Sequence, residues 1–351
     1  MARAPSGRGG GNIRIPNPHA MGLPWQRIAL ARFNPRMTFF ERDLRPANGL
    51  QVSIMMNPDS ADKLFAGRGH TMAELAKIAD AHGALPHFDL PRQVRVHVTM
   101  HEHEVESPNL AGVLRGADAK LNREYVAISA HLDHLGVGQP IHGDAIYNGA
   151  MDNASGIASI LEIARLMREQ KAPLKRSVMF LAVTGEEKGL LGSRHFAAHP
   201  TVPARSIVAD INLDMFLPLY PLRYLVVIGL NESTLGDRAR ALAPADGVEV
   251  QDDPMPERNV FIRSDQYSFV KLGVPALMFA FGAAPGSPEE KTREEWFRTR
   301  YHAPSDDVNQ PVDLAAAAKF DELMLRLLAE VADNEARPEW KRDSFFARFA
   351  H

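Results

Sequence analysis

Short apolar runs alternate with helix-period stretches along the chain from about residue 106 onward. A continuous apolar run of about four to eight residues is typical of a buried strand, and apolar residues three and four apart are typical of a helix. Strands are predicted at 125–130, 177–183, 207–213, 224–228 and 275–281. Helices are predicted at 155–169, 189–198, 233–242, 264–272 and 314–334. This alternation predicts an α/β protein with a three-layer α/β/α fold around a mostly parallel sheet.

The chain before residue 106 has a different pattern. Residues 1–20 are rich in Gly, Pro and Arg, which predicts a flexible lead-in. Residues 21–105 combine short strand-like runs with one helical stretch, which predicts a small α+β unit. The strand-like runs lie at 27–31, 51–55 and 94–100, and the helical stretch lies at 72–82. The length of 351 residues fits such a unit followed by a larger domain over 106–351.

Composition narrows the classes of function. With 40 Lys and Arg against 43 Asp and Glu, the net charge of −3 argues against a protein that binds nucleic acid phosphates. Cysteine is absent, so a metal would have to be held by His, Asp and Glu. No apolar stretch approaches about 18 residues, so we expect no membrane partner. We also expect no secretory signal in the first residues, and the localisation stays open.

Acidic and histidine residues follow several of the predicted strands. His131 and Asp133 follow one strand, Glu186 and Glu187 follow the next, and Asp214 follows a third. Because function collects at the carboxyl ends of parallel strands, we expect these side chains at one sheet edge. Carboxylates clustered there would repel one another unless cations neutralised them. Oxygen and imidazole ligands without thiolates suit a zinc pair or a similar divalent metal.

Five segments of the chain resemble motifs of the dinuclear zinc aminopeptidase family, which also contains glutamate carboxypeptidase and transferrin-receptor-like proteins. They are AHLDH at 130–134, NGAMDNASG at 148–156, TGEEKGLLGS at 184–193, INLDM at 211–215 and YHAPSDD at 301–307. The resemblance covers about residues 106–335 and implies a zinc-exopeptidase-like fold, two Zn²⁺ ions per chain and a peptide substrate. Residues 12–92 are similar to the later part of a protease-associated domain, which implies a partial domain of that kind over 21–105.

The resemblance also implies a ligand set for the two zinc ions. His131 and Asp214 would bind one ion, Glu187 and His302 would bind the other, and Asp152 would bridge both. Taken singly, a residue such as Asp152 could equally be only a helix cap. The expectation of a metal site therefore depends on the five residues together.

Two further residues match catalytic positions of the family. Glu186 matches the general base that takes a proton from water, and Asp133 matches the carboxylate that orients His131. The resemblance also implies a cis peptide bond between Asp152 and Asn153.

The resemblance implies a zinc-dependent exopeptidase, and among exopeptidases an aminopeptidase that hydrolyses the N-terminal peptide bond. The alternatives are a catalytically inactive receptor-like or binding protein on the same fold, a carboxypeptidase, or an aminoacylase. The nucleophile elbow of serine hydrolases and the phosphate-binding loop of nucleotide-binding proteins are both missing from the sequence.

Several other polar residues are expected to take no part in metal binding or catalysis. Among the histidines these are His134, His142, His195 and His199. The alternating run at 101–104 (His-Glu-His-Glu) fits a solvated strand face better than a metal site. The segment at 263–266 has Gln266 where many family members have His, so it receives no catalytic role. Two roles are equally compatible with the position of Tyr301, a contact with the substrate and packing against its neighbours.

The resemblance further implies that the chain begins inside the protease-associated domain. A truncated domain of this kind would expose apolar surface, so we expect reduced stability or an oligomer.

Overall fold

The computed structural model describes residues 10–19, 23–45, 50–90, 94, 95, 97, 99, 101–170 and 173–350. The described chain forms two units. The first comprises its residues up to Phe33 together with those of 40–105, and the second comprises 34–39 and the chain from Glu106 onward. No helix within the described ranges is long and apolar enough to cross a membrane.

The first unit contains one pair of parallel strands and three α-helices within its described part. The elements are β1 (Gly10–Arg14), α1 (Trp25–Leu30), β2 (Leu50–Met55), α2 (Asp62–Phe65) and α3 (Met72–Asp80). The helix α3 begins where Thr71 accepts a hydrogen bond from the backbone N–H of Glu74, which satisfies one of the free donors of the first turn.

Several predictions for this region differ from the structure. The predicted strand at 27–31 is wrong, because residues 25–30 form the helix α1, at whose N-cap the carbonyl of Pro24 accepts hydrogen bonds from the N–H groups of Arg27 and Ile28. Residues 10–14 of the expected flexible lead-in form β1, whereas residues 1–9 lie outside the described part. The predicted strand at 94–100 also lies partly outside it, and its described residues 94, 95, 97 and 99 have no regular structure. The assignment of 21–105 to a protease-associated domain stays a prediction.

The described part of the second unit is built on a seven-stranded sheet with the order β10-β9-β11-β8-β4-β7-β3. These strands are β3 (Leu110–Leu114), β4 (Tyr125–His131), β7 (Ser177–Val183), β8 (Ile207–Leu213), β9 (Tyr224–Ile228), β10 (Glu249–Gln251) and β11 (Ala276–Phe281). A separate antiparallel hairpin consists of β5 (Gly136–Ile141) and β6 (Asp144–Tyr147). The central strand β4 is parallel to both β7 and β8, and only β3–β7 and β9–β11 are antiparallel pairs in the described sheet. The prediction of a mostly parallel sheet is therefore confirmed.

Helices cover both faces of this sheet. They are α4 (Ser155–Gln170), α5 (Leu191–Ala198), α6 (Thr234–Leu242), α7 (Gln266–Lys271), α8 (Pro288–Thr299) and α9 (Leu314–Asp333). One apolar core packs alternate residues of the sheet against α4, α6 and α9, and a second core packs the intervening residues against α5 and α7.

The strand β4 shows why three layers form. Val126 and Ile128 point into the first core, whereas Tyr125 and Ala127 point into the second. Side chains of a strand alternate between faces, so a strand that is apolar at every position must be covered on both sides. Each fully buried aliphatic side chain stabilises the fold by about 1.5–3 kcal/mol. The predicted three-layer α/β/α arrangement is confirmed.

Candidate metal centre

Three neighbouring strands of the sheet end at the same edge. His131 is the last residue of β4, Asp214 directly follows β8, and Glu186 and Glu187 lie just after β7. Because β4 lies between β7 and β8 and runs parallel to both, the structure brings these side chains to one place.

The first metal group consists of His131, Asp152 and Asp214. His131 Nε2 lies 3.4 Å from Asp152 Oδ1 and 3.3 Å from Asp214 Oδ1. The three side chains are 1%, 4% and 7% exposed, so water does not compensate their charges. Two ligand atoms about 2.0–2.1 Å from one zinc ion in tetrahedral geometry are about 3.3–3.4 Å apart, so these separations fit a zinc site.

The second metal group consists of Asp152, Glu187 and His302. His302 Nε2 lies 3.3 Å from Asp152 Oδ2 and 3.4 Å from Glu187 Oε2. Asp152 thus faces the first group with one oxygen and the second group with the other. A carboxylate placed between two sets of ligands is the arrangement that a two-metal site requires.

Asp152 is held in place by hydrogen bonds of its own backbone N–H and of the residues on either side of it. The Asp306 carboxylate accepts hydrogen bonds from the N–H groups of Met151 (2.9 Å) and Asp152 (3.0 Å). Asn153 Nδ2 donates to the carbonyl of Leu213 at the end of β8 (2.8 Å). The peptide bond between Asp152 and Asn153 is cis, as the family resemblance implies.

Asp133 supports the site in a way that differs in detail from the prediction. His131 Nδ1 donates to the backbone carbonyl of Asp133 (3.0 Å), whereas the nearer carboxylate oxygen is 3.7 Å away. This hydrogen bond orients the ring so that Nε2 faces Asp152 and Asp214. The Asp133 carboxylate instead accepts hydrogen bonds from the N–H groups of Glu186 (3.1 Å) and Glu187 (3.3 Å). Asp133 therefore positions the imidazole and the two glutamates together.

A polar network lies behind Asp214. Ser264 Oγ donates to Asp214 Oδ2 (2.5 Å), and Asn212 Nδ2 donates to Ser264 Oγ (3.0 Å) and to Gln266 Oε1 (2.8 Å). Gln266 thus has a structural function in the segment that sequence analysis left without a catalytic role. Burial raises the pKa of the neighbouring Asp265 to about 7.

The crowding of acidic groups shifts the pKa values at the centre. Burial raises the pKa of Glu186 well above its usual value, and the Asp214 carboxylate adds to the shift. Burial alone would lower the pKa of His131, but Asp214 and Asp152 raise it well above its usual value. Burial would also lower the pKa of His302, yet Asp152 and Glu187 raise it. The buried carboxylates thus stabilise positive charge on the adjacent imidazoles, and the same negative charge favours the binding of cations.

His134 belongs to this site, although sequence analysis classed it with the uninvolved histidines. Its Nδ1 lies 2.8 Å from Glu187 Oε1 and 3.9 Å from Asp152 Oδ2, and its side chain is 6% exposed. The available signal was its position three residues after His131, in the same connection that follows β4. The carboxyl end of a central parallel strand is where ligand-binding residues of such sheets are found.

The remaining candidates lie elsewhere or pack against the site. His142, His195 and His199 are exposed, and the run at 101–104 is exposed and has no regular structure. Tyr301 stacks on His302 with ring centroids 3.9 Å apart, and burial raises its pKa above the usual value.

Comparisons with known proteins place this geometry in a family. The model of peptidase family M28 matches residues 109–328, which include all seven predicted site residues. The chain is 26% identical over 228 residues to the aminopeptidase YwaD of Bacillus subtilis, which covers 61% of this chain and 44% of that protein. It is 44% identical over 73 residues to a probable zinc metalloprotease of Pyrenophora tritici-repentis, covering 21% of this chain and 16% of that protein.

A solved structure agrees in fold. The LapA aminopeptidase of Legionella pneumophila is 25% identical, with a TM-score of 0.50, and the match covers 65% of this chain and 56% of that one. The chain spans less than half the length of the two curated relatives named above. Because the family match covers more than half of the chain and contains the whole site, this protein belongs to peptidase family M28.

Proposed function

We propose that this protein is a two-metal exopeptidase that binds two zinc ions and hydrolyses the N-terminal peptide bond of a peptide. The observation that carries the proposal is the position of Asp152, whose two carboxylate oxygens face two separate ligand groups. The word zinc in the name of the Pyrenophora relative supports the choice of metal. The names of the Bacillus and Legionella proteins support the choice of the amino end.

The donor set fits zinc. The first metal group offers one imidazole and two carboxylates, the second offers the same, and the chain has no cysteine that could compete. Two bound divalent ions supply Lewis acidity, which makes a water molecule nucleophilic near neutral pH and polarises the scissile carbonyl.

Glu186 is the side chain that moves protons in this proposal. It lies beside the ligand Glu187 in the chain, and its carboxylate is not needed to complete either metal group. Hydrogen bonds from the N–H groups of Glu186 and Glu187 to Asp133 fix the turn that carries it. Its carboxylate lies close enough to Asp214 and His131 to interact electrostatically with both. In the proposed reaction this carboxylate would accept a proton from the attacking water and then pass that proton to the leaving amine.

Replacing Glu186 by Gln tests the role of the base. We expect kcat to fall at least about 100-fold, because general-base catalysis contributes about 10²–10⁴-fold. The metal content, measured by elemental analysis, should stay at the wild-type value because both metal groups are intact. The control is Glu169→Gln, which removes an exposed carboxylate from α4 and should leave kcat unchanged.

Activity assays also distinguish the aminopeptidase from the alternative functions. The substrates are peptides blocked at the amino end, peptides blocked at the carboxyl end and an N-acylated amino acid, and hydrolysis of each is measured. Turnover retained by Glu186→Gln would reject the general-base role. Cleavage at the carboxyl end or of the acylated amino acid would replace the aminopeptidase assignment. Full metal content without any hydrolysis by the wild-type protein would favour a receptor-like function.

A further inference from the structure

His134 is a third imidazole at the two-metal centre. It follows β4 by three residues, and its Nδ1 faces Glu187 Oε1 and Asp152 Oδ2, which both belong to the second metal group. Neither metal group as the sequence predicts it includes this histidine.

The contact between His134 and Glu187 is not a hydrogen bond. The two atoms are 2.8 Å apart, yet His134 Nδ1 and Glu187 Oε1 are both buried without a hydrogen-bond partner among the described residues. Unpaired buried polar atoms are costly, and native structures satisfy nearly all of them. Two ligand atoms that are about 2.0–2.1 Å from one ion and a right angle apart are separated by about 2.9 Å, which matches this pair.

The residues around His134 enclose its imidazole ring closely. Gly149 has a φ of +70°, and a Cβ at that position would lie 2.6 Å from His134 Cγ. The His134 and His302 rings meet edge to face with centroids 5.8 Å apart. Glu187 lies between the two imidazoles, with Oε1 toward His134 and Oε2 toward His302.

We propose that His134 binds the second metal through Nδ1, together with Asp152, Glu187 and His302; this inference rests on the proposed two-metal function. The second site then has four protein ligands, two of them imidazoles, while the first has three protein ligands and one imidazole. Since imidazole is a preferred ligand of zinc, the two sites differ in affinity, and the second site fills first and empties last.

Metal titration of the apoprotein tests this inference without relying on activity. Zn²⁺ binding is measured by calorimetry, and Co²⁺ binding is measured by visible absorption, which reports the coordination number. His134→Phe keeps a ring of similar shape but removes the ligand atom, and His142→Phe is the control because His142 is exposed in the same region of the chain. Thermal unfolding in chelator verifies that both variants fold.

For the wild type and His142→Phe we expect two binding events with the same affinities. For His134→Phe we expect the tighter event to weaken at least about tenfold, the weaker event to persist, and the Co²⁺ spectrum of the affected site to gain intensity as its coordination number falls. Wild-type affinities and spectrum in His134→Phe would overturn the inference.

His302→Ala separates this inference from the proposed function. If His302→Ala loses one metal and His134→Phe retains both at wild-type affinity, only the role of His134 fails. If the wild type binds fewer than two metals, the two-metal assignment fails and the role of His134 fails with it.

Discussion

Each proposed ligand of the first metal group makes a hydrogen bond to a residue outside both metal groups. The backbone carbonyl of Asp133 accepts from His131, Ser264 donates to Asp214, and Asp306 fixes the backbone of Asp152. Removing such an orienting partner typically lowers metal affinity or activity about 10–100-fold. The charged atoms of the site are therefore pre-positioned by groups that belong to neither metal group.

Another buried carboxylate lies away from these ligands and affects stability rather than chemistry. Asp321 on α9 is 8% exposed, and its Oδ1 has no hydrogen-bond partner among the residues described. Burial raises its pKa from the ordinary 3.8 to about 6. Below about pH 4 the group is protonated in both the folded and the unfolded chain. As the pH rises to about 6 the unfolded chain ionises first, so the free energy of unfolding falls.

Asp321→Asn should remove this dependence. We expect the variant to gain stability over the wild type between pH 4 and pH 6, with a constant difference above pH 6 of at most about 3 kcal/mol. Urea unfolding followed by circular dichroism in chelator measures the difference at each pH. The exposed neighbour Glu322→Gln is the control and should show no comparable rise. A difference that does not change with pH would contradict the assignment of a raised pKa to Asp321.

At the scale of elements, the connections at one edge of the sheet carry the proposed metal ligands. The connection from β6 to α4 contains Asp152 and passes close to the imidazole of His134. Its residue Gly149 would place a Cβ 2.4 Å from the carbonyl oxygen of Asp152, closer than real Cβ atoms approach other atoms. A side chain at this point would therefore displace Asp152, the proposed bridging ligand.

Gly149→Ala is therefore expected to lower the affinity for the second metal at least about tenfold, because Asp152 and His134 are displaced together. Gly143 is the matched control: it has a φ of +88°, and no atom lies within 4 Å of the place that a Cβ would occupy there. Gly143→Ala should cost about 1–2 kcal/mol of stability from its backbone conformation alone and leave metal affinity unchanged. Calorimetric zinc titration of both variants measures the contrast, and equal affinities would contradict the role given to Gly149.

At the scale of the whole molecule, a sheet buried on both faces supports a crowded acidic site at its edge. The two apolar cores stabilise the second unit, while the carboxylates at the strand ends oppose folding by mutual repulsion. Bound cations remove this repulsion and stabilise the folded state by mass action, by about 2.7 kcal/mol for one site at a hundredfold excess over Kd.

Removal of metal should accordingly lower the Tm. A gain of about 2.7 kcal/mol corresponds to a Tm rise of about 5–10 °C for a domain of this size. Differential scanning calorimetry with chelator, and then with excess Zn²⁺, measures the change. Asp152→Ala lacks the bridging carboxylate and should show a much smaller rise. Equal Tm values for the wild type under both conditions would argue against metal binding.

The sequence by itself determined the central strands and most of the covering helices of the second unit, because buried elements need apolar residues at fixed intervals. It did not reveal α8, of which only Trp296 is buried, or the edge strand β3, most of which is exposed. The same dependence on apolar spacing gave a wrong prediction at α1, where the short apolar run after Pro24 forms a helix instead of a strand.

For the site, the sequence and its family resemblance supplied the ligand candidates but not their surroundings. Only the tertiary structure decided that Asp152 divides its oxygens between two groups, that Asp133 holds the turn of Glu186, and that His134 faces Glu187. Local periodicity depends on neighbours in the chain and can be read directly from residue order. Contacts between the ends of separate strands depend on how the sheet is assembled, so side chains far apart in sequence meet only when the fold is complete.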